Sequence, residues 1–307
     1  MLVSNINPYL LNAPNILIWS RSKPVCNVPK MTKGNQPTDG GNLILSKKEM
    51  EFMIKEDPSI ADCIKRYVGS KDYINNTEPR YCLWLKDVSP VVYKHNTEIL
   101  RRLDAVRQMR LSSSAEPTRK SAETPFKFFS TPQTKETYLI IPRVSSERRK
   151  YIPIGFMTPD IIAADSCSII PNANLYHFGV LTSNVHNAWM RIVAGRLESR
   201  YRYSGSVVYN NFPWCELTPE QKTRIEKTAQ AILDARALYP DCSLADMYGE
   251  HMYLYPELLK AHQENDKAVM AAYGFTKKAE DGRTVWLSES ETVAELFKMY
   301  EKLVKEK

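Results

Sequence analysis

Within the thirteen residues from Arg191 to Tyr203 the chain sets four arginines, one glutamate and two tyrosines. The centre of this stretch reads Gly195-Arg196-Leu197-Glu198-Ser199-Arg200-Tyr201-Arg202-Tyr203-Ser204. If Glu198 to Ser204 is extended, successive side chains point to opposite faces. Glu198, Arg200 and Arg202 then share one face, and Ser199, Tyr201 and Tyr203 the other. The first set has the chemistry of base-edge readout. An Arg fork gives two hydrogen bonds to guanine O6 and N7, and a carboxylate accepts one from cytosine N4. Glu198 and Arg200 side by side could therefore question both members of a G·C pair. The same residues could instead form a surface strand with internal ion pairs. Tyr201 and Tyr203 are expected as core or wall residues rather than as platforms for stacked bases.

A second basic group, Arg143, Ser145, Ser146, Arg148 and Arg149, falls between two predicted strands. Arg, Ser and main-chain N–H groups are the usual partners of DNA phosphates, so a turn against a nucleic-acid backbone is expected there. Residues 101–150 hold twelve Lys and Arg against five acids, an excess equal to the net charge of +7 of the whole 307-residue chain. A basic block in an otherwise neutral chain suits a polyanion-facing surface, although a solvated helix face would carry the same charges. The arginines between Arg101 and Arg110 are a secondary candidate for backbone contact.

Enzymatic machinery is not visible. The eleven glycines include no G-x-G, so neither a dinucleotide loop nor an S-adenosylmethionine glycine loop is present. No G-x-x-x-x-G-K and no H-E-x-x-H occurs, and the five histidines lack metal-ligand spacing, so no metal site is expected. Pro159-Asp160 has the first half of a nuclease signature without the acid-x-Lys that completes it. Asn7-Pro8-Tyr9 resembles the N-P-P-Y loop of amino-methyltransferases with one proline missing. No catalytic residue is assigned. The six cysteines form no C-x-x-C pair, which favours reduced thiols and a cytoplasmic location. No apolar run reaches the roughly 18 residues of a membrane span, and no signal peptide is visible at the N-terminus.

The elements that must position these residues follow from period and punctuation. Ile16–Trp19 reads as a short buried strand. A helix is predicted over Glu49–Gly69, capped by Ser46 and kinked or broken at Asp57-Pro58. Tyr81–Leu85 reads as a strand. Ser89-Pro90 opens a long helix to about Leu111, with Val92, Ile99, Leu103 and Val106 on one face and the arginines on the other. Ser112–Thr124 lacks period and reads as a mobile loop. Strands are predicted at Tyr138–Pro142, Tyr151–Met157, Ser168–Ile170 and Leu175–Leu181, then a helix over Ser183–Leu197 that leads into the Arg-rich strand. Trp189 and Trp214 are expected to pack. From Thr218-Pro219-Glu220-Gln221, a capping box with Pro in the first turn, the pattern turns helical: Leu244–Met247, Pro256–Tyr273 and Ser290–Val304. The fold class expected is α+β, a mixed α/β domain followed by a smaller all-helical C-terminal domain.

The order of these segments resembles a known family: the combined restriction-modification enzymes of the MmeI type (type IIL) and their stand-alone adenine-methyltransferase relatives. The resemblance rests on Asn7-Pro8-Tyr9-Leu10, Lys33–Gly41, Arg143–Pro153, Gly195–Ser204 and Tyr209-Asn210-Asn211-Phe212-Pro213-Trp214. It implies that residues 1–42 are the tail of a methyltransferase domain, 43–215 a DNA target-recognition domain and 216–307 the family's helical C-terminal domain. It also implies that Glu198 and Arg200 read one base pair, and that Arg202 reads another together with a residue near Ser166. Arg143, Ser145, Ser146, Arg148 and Arg149 remain the backbone contacts. The function implied is sequence-specific recognition of double-stranded DNA within a bacterial adenine-N6 methyltransferase or type II restriction-modification enzyme. The chain would not be catalytic alone, because S-adenosylmethionine would be held by an upstream methyltransferase domain, in cis or in trans. Two alternatives stay open: a self-contained DNA-modifying enzyme, methyltransferase or nuclease, and a protein-interaction subunit.

Overall fold

Apolar residues from segments far apart in the chain build two four-stranded sheets in the computed structural model, which describes residues 5–305. The first runs in the order Thr32–Lys33, Cys167–Pro171, Tyr138–Pro142, Gly155–Met157, with antiparallel neighbours. Its central strand Tyr138–Pro142 is buried at every position, as a near-continuous apolar run requires. The second sheet is Ile44–Ser46, Arg80–Leu83, Ile64–Val68, Ile161–Ala163, with the last pair parallel. Gly34 lies where the Thr32–Lys33 strand passes Ala164. A Cβ there would stand 2.1 Å from the Ala164 carbonyl oxygen, so no larger residue lets the backbones approach so closely.

A third, smaller sheet carries the Arg-rich stretch. Gly195–Leu197 pairs with Arg200–Arg202, which pairs with Val144–Ser145, both antiparallel. Val144–Ser145 follows directly from the Tyr138–Pro142 strand, so the small sheet is rooted in the large one.

The helical caps form where the sequence placed them. Ser46 and Glu49 close a capping box on Lys47–Glu56, and Thr218 and Gln221 close one on Pro219–Ala237. Beyond residue 216 come Leu244–Met247, Pro256–Ala272 and Glu289–Lys305, with one hairpin, Thr276–Lys278 against Thr284–Trp286, that the sequence reading did not foresee. One apolar core runs from Leu139, Trp189 and Phe212 through Ile225 to Phe297 and Tyr300. The helical region is therefore packed into the same interior as the first sheet. Gly179 makes this possible, since a Cβ there would meet Ile225 at 2.7 Å and Ala229 at 3.1 Å.

Several expectations are corrected. Leu175–Leu181 is not a strand but the helix Leu175–Thr182: Asn174 and His177 form a capping box, which an apolar run without period does not reveal. The helix begun at Lys47 ends at Glu56, a 3-10 turn follows over Pro58–Cys63, and Ile64–Val68 is a strand. Pro58 breaks the helix rather than kinking it. Ile16–Trp19 forms no strand, and Trp19 is exposed. The predicted helix from Pro90 divides into Pro90–Tyr93 and Thr97–Leu111, recapped by Asn96. The Ser112–Thr124 segment is not an irregular loop: it holds the helix Glu116–Lys120 and the 3-10 turn Ser121–Glu123.

The arginines of Thr97–Leu111 do not all face solvent. Arg102 is buried and bonded to Glu98, Glu49 and the Asn42 carbonyl. Arg110 is fully buried, and its five N–H groups reach the carbonyls of Thr38, Ser121, Thr124, Pro37 and Lys127. These two therefore act as structural clamps and drop out as DNA contacts.

Candidate nucleic-acid interface

The Arg-rich stretch is a hairpin, not the single strand expected over Glu198–Ser204. Glu198 and Ser199 form its turn, and Glu198 takes a left-handed backbone conformation with φ of 57°. A non-glycine residue costs about 1 kcal/mol or more there, so the turn is held by its surroundings. The alternation argument holds for the returning strand alone. Tyr201 and Tyr203 point inward at 8% and 1% exposure, while Arg200 and Arg202 are exposed. Glu198 reaches Arg200 across the turn instead, with Arg200 Nη2 donating to its carboxylate at 2.7 Å.

What fixes the hairpin lies on its inner face. Tyr203 meets His186 at 2.8 Å between hydroxyl and Nε2. His186 is wholly buried, and burial pushes its imidazole down to about 3, so it stays neutral. Arg196 stacks over the Tyr201 ring at 3.8 Å and donates from Nη1 to the Ser199 carbonyl at 3.0 Å. Arg196 thus ties the turn to the strand that supports it. The sequence placed Arg196 inside the motif without a role. Only the antiparallel pairing of Arg196 with Tyr201 supplies one.

Arg143 joins the remaining candidates. Its N–H donates to the Ser166 carbonyl at 3.1 Å, its own carbonyl accepts from Tyr203 N at 2.8 Å, and its Nη1 donates to the Asp165 carbonyl at 2.9 Å. Ser166 and Arg202, far apart in sequence, therefore flank one residue. Ser166 is exposed, and its hydroxyl accepts from Ser70 N at 3.0 Å and lies within hydrogen-bond reach of the Cys167 thiol. The Arg202 side chain makes no hydrogen bond or ion pair among the described residues. It is an unengaged guanidinium at the end of a fixed strand.

The 143–149 block divides. Ser146 anchors the turn by accepting from Arg148 N, and the Arg149 N–H bonds the Ser146 carbonyl. Arg148 is exposed, in loose ion pairs with Glu250 at 3.5 Å and Glu147 at 3.9 Å. Arg149 is half-buried with a partnerless Nε, and burial lowers its pKa. Ser145 is only 2% exposed and lies opposite Tyr201 on the inward face. Its hydroxyl has no partner, and it cannot reach a phosphate from there, contrary to expectation. Glu147 lies beside the hairpin turn: its carboxyl is held below the usual range first by its own backbone N–H, with Ser199 and the charges of Arg148 and Arg196 adding. The basic turn and the Glu198–Ser199 turn are thus neighbours.

Two further cations, Arg21 and Lys33, stand beside Arg143 and were not singled out from the sequence. The signal that could have found them is the Lys33–Gly41 stretch, whose Gly34 brings Lys33 against Ser168 in strand pairing. No group of three or more His, Cys, Asp or Glu that could hold a metal ion occurs among the described residues. No helix among them is long and apolar enough to cross a membrane.

Comparison with known proteins places this geometry. The family described as MmeI, target recognition domain, matches residues 12–216, and that described as MmeI, C-terminal domain, matches residues 217–306. The chain is 39% identical over 272 residues to DNA methyltransferase A of Bacillus subtilis (strain 168), a match covering 89% of this chain and 31% of that protein. It superposes with a TM-score of 0.90 on the type IIL restriction-modification enzyme MmeI solved in complex with DNA. That match has 44% identity and covers 99% of this chain and 39% of MmeI. The chain thus spans about a third of the length of these relatives.

Proposed function

We propose, from the premise that this chain belongs to the MmeI family through its target-recognition and C-terminal domains, that it reads a base sequence in double-stranded DNA. One observation carries the reading. A hairpin anchored by Tyr201 and Tyr203 holds Glu198, Arg200 and Arg202 exposed next to a basic turn, and Arg143 ties its returning strand to Ser166. Glu198 and Arg200 take one base pair, carboxylate to cytosine N4 and guanidinium to the guanine opposite. Arg202 and Ser166 take another. Arg143, Ser146, Arg148 and Arg149 face the phosphates.

Methyl transfer to adenine N6 belongs, in this proposal, to a methyltransferase domain outside the chain, in cis or in trans, in the cytoplasm of a bacterium. The chain matches 31% and 39% of these relatives, and the glycine loop that would bind S-adenosylmethionine does not occur in this sequence. Purified chain is accordingly expected neither to bind S-adenosylmethionine nor to methylate DNA.

The ion pair between Glu198 and Arg200 does not compete with readout. An exposed pair is worth about 0–1 kcal/mol, a good base contact about 1–3 kcal/mol, so the base wins. Exchanging the charges, Glu198→Lys with Arg200→Asp, is expected to move the preference from C·G to G·C at one position. Selection from randomised duplexes, before and after the exchange, measures it. An unchanged preference in a folded double variant would return both residues to an ion-pair role.

A further inference from the structure

A cleft of about 240 Å³ opens where the small sheet meets the Thr32–Lys33 strand, lined by Arg21, Lys33, Arg143, Ser168, Ser204 and Ser206 among others. Three cations and four serine hydroxyls border it, counting Ser22, and no carboxylate does. The cations are not spent on one another or on acids. Lys33 has no hydrogen bond or ion pair among the described residues. Arg143 gives one N–H to the Asp165 carbonyl, and Arg21 gives Nε to Asn211 and Nη2 to Tyr300. Arg21 and Arg143 therefore each keep donors free, and all three positive charges remain uncompensated. Like charges gathered without a counter-ion repel, and an anion entering the cleft relieves that repulsion.

The position is as informative as the charge. Ser204 lies two residues beyond Arg202 on the hairpin's returning strand, and Arg143 bonds both Tyr203 and Ser166. The cleft therefore adjoins the two side chains assigned to one base pair. The Lys33–Ser168 pairing puts a flexible ammonium and a hydroxyl on one face of the sheet. A tetrahedral anion with several acceptor oxygens matches such a set of forks, hydroxyls and one point charge.

The geometry points to this cleft as the seat of a phosphate group, and its neighbours point to the phosphodiester of the DNA strand next to the base read by Arg202. The second part rests on the DNA-recognition reading above. Seating one phosphate fixes the register of the hairpin on the duplex, because a backbone contact orients while base contacts specify.

Lys33→Gln is the test variant, since this exposed side chain holds nothing else in place, and Ser206→Ala is the second, should the first fail to fold. Binding of duplexes carrying one neutral methylphosphonate linkage at a time is compared for native chain and variant, together with binding of inorganic phosphate. The expected result is a several-fold loss of affinity in Lys33→Gln at every DNA sequence, with the salt slope lowered by about one. A single linkage should then matter to the native chain and not to the variant. Phosphate binding lost in the variant with no such linkage would keep the anion seat and overturn its assignment to DNA. If neither phosphate nor any linkage distinguishes the two proteins, the seat itself is overturned. Sequence preference is read separately in the same titrations: its absence, with the linkage effect intact, defeats base readout and leaves the seat standing.

Discussion

Glu198 shows how one residue can carry a role that its place in a pattern does not describe. It sits in a turn at positive φ, outside the strand that alternation assumed, and still meets Arg200. Lys at this position bears the same backbone strain as Glu, so the charge exchange leaves the turn as it is. Arg148 and Ser145 make the opposite comparison, three residues apart and assigned together from sequence. Arg148→Ala is expected to weaken binding evenly across DNA sequences and to lower the salt slope by about one. Ser145→Ala removes a buried hydroxyl without a partner, so the melting temperature should hold or rise, and DNA affinity should not change. Titrations at three salt concentrations and thermal melts decide this. A loss of DNA affinity in Ser145→Ala would falsify the division of the block.

At the scale of elements, the helix Thr97–Leu111 is held by its apolar face, Ile99, Leu103 and Val106, and also by Arg110. Its guanidinium binds five carbonyls of two loops and has no carboxylate partner. Burial lowers its pKa, with the Asp39 charge partly offsetting. Replacing it with Met leaves the Thr38 and Lys127 carbonyls without a donor, while those of Ser121, Thr124 and Pro37 keep a backbone N–H. Arg110→Met should therefore cost about 2–4 kcal/mol in urea unfolding, the penalty of leaving two such groups unsatisfied. A cost near zero would show that the loops repack. The folded fraction should keep its DNA preference, because Arg110 lies in the fold's interior. The basic charge of residues 101–150 thus divides into clamps and contacts, which a count of charges does not distinguish.

The whole molecule should be sensitive to acid in a way its buried histidines set. His186 titrates near 3 and His177 near 4 in the fold, both chiefly through burial, and His262 is driven well below its usual value. A histidine whose folded value is depressed below its unfolded value near 6.5 favours the fold above that pH. Its contribution is lost as pH falls through about 6 towards 3. Asp266 acts the other way. Burial raises it to about 6 despite the Tyr151 hydroxyl at 2.6 Å, so its contribution is present below about 4 and lost as pH rises through 6. Three groups outweigh one, and stability should fall from pH 7 to pH 4. Urea midpoints across that range test it, with Asp266→Asn expected to fall more steeply because the opposing carboxyl is gone. A flat profile would mean that the imidazoles find water on protonation.

The sequence by itself determined the parts whose cause is local. The N-cap at Ser46, the capping box at Thr218, the apolar run of Tyr138–Pro142 and the helices beyond Thr218 need only neighbouring residues, and they form as the sequence predicts. Family membership was legible for the same reason, since Gly195–Ser204 and Tyr209–Trp214 are contiguous. Tertiary structure alone decided the rest. The apolar run Leu175–Thr182 fits helix or strand by pattern, and the close packing of Gly179 against Ile225 and Ala229 adds to the Asn174–His177 cap in fixing it as helix. Whether an arginine is a clamp or a reader depends on which carbonyls stand within reach. Ser166 and Tyr203, the residue after Arg202, came to bond Arg143, and Arg21, Lys33 and Arg143 came to line one cleft, only through pairings between distant segments. Such pairings are long-range contacts of the backbone, and no spacing along the chain encodes them.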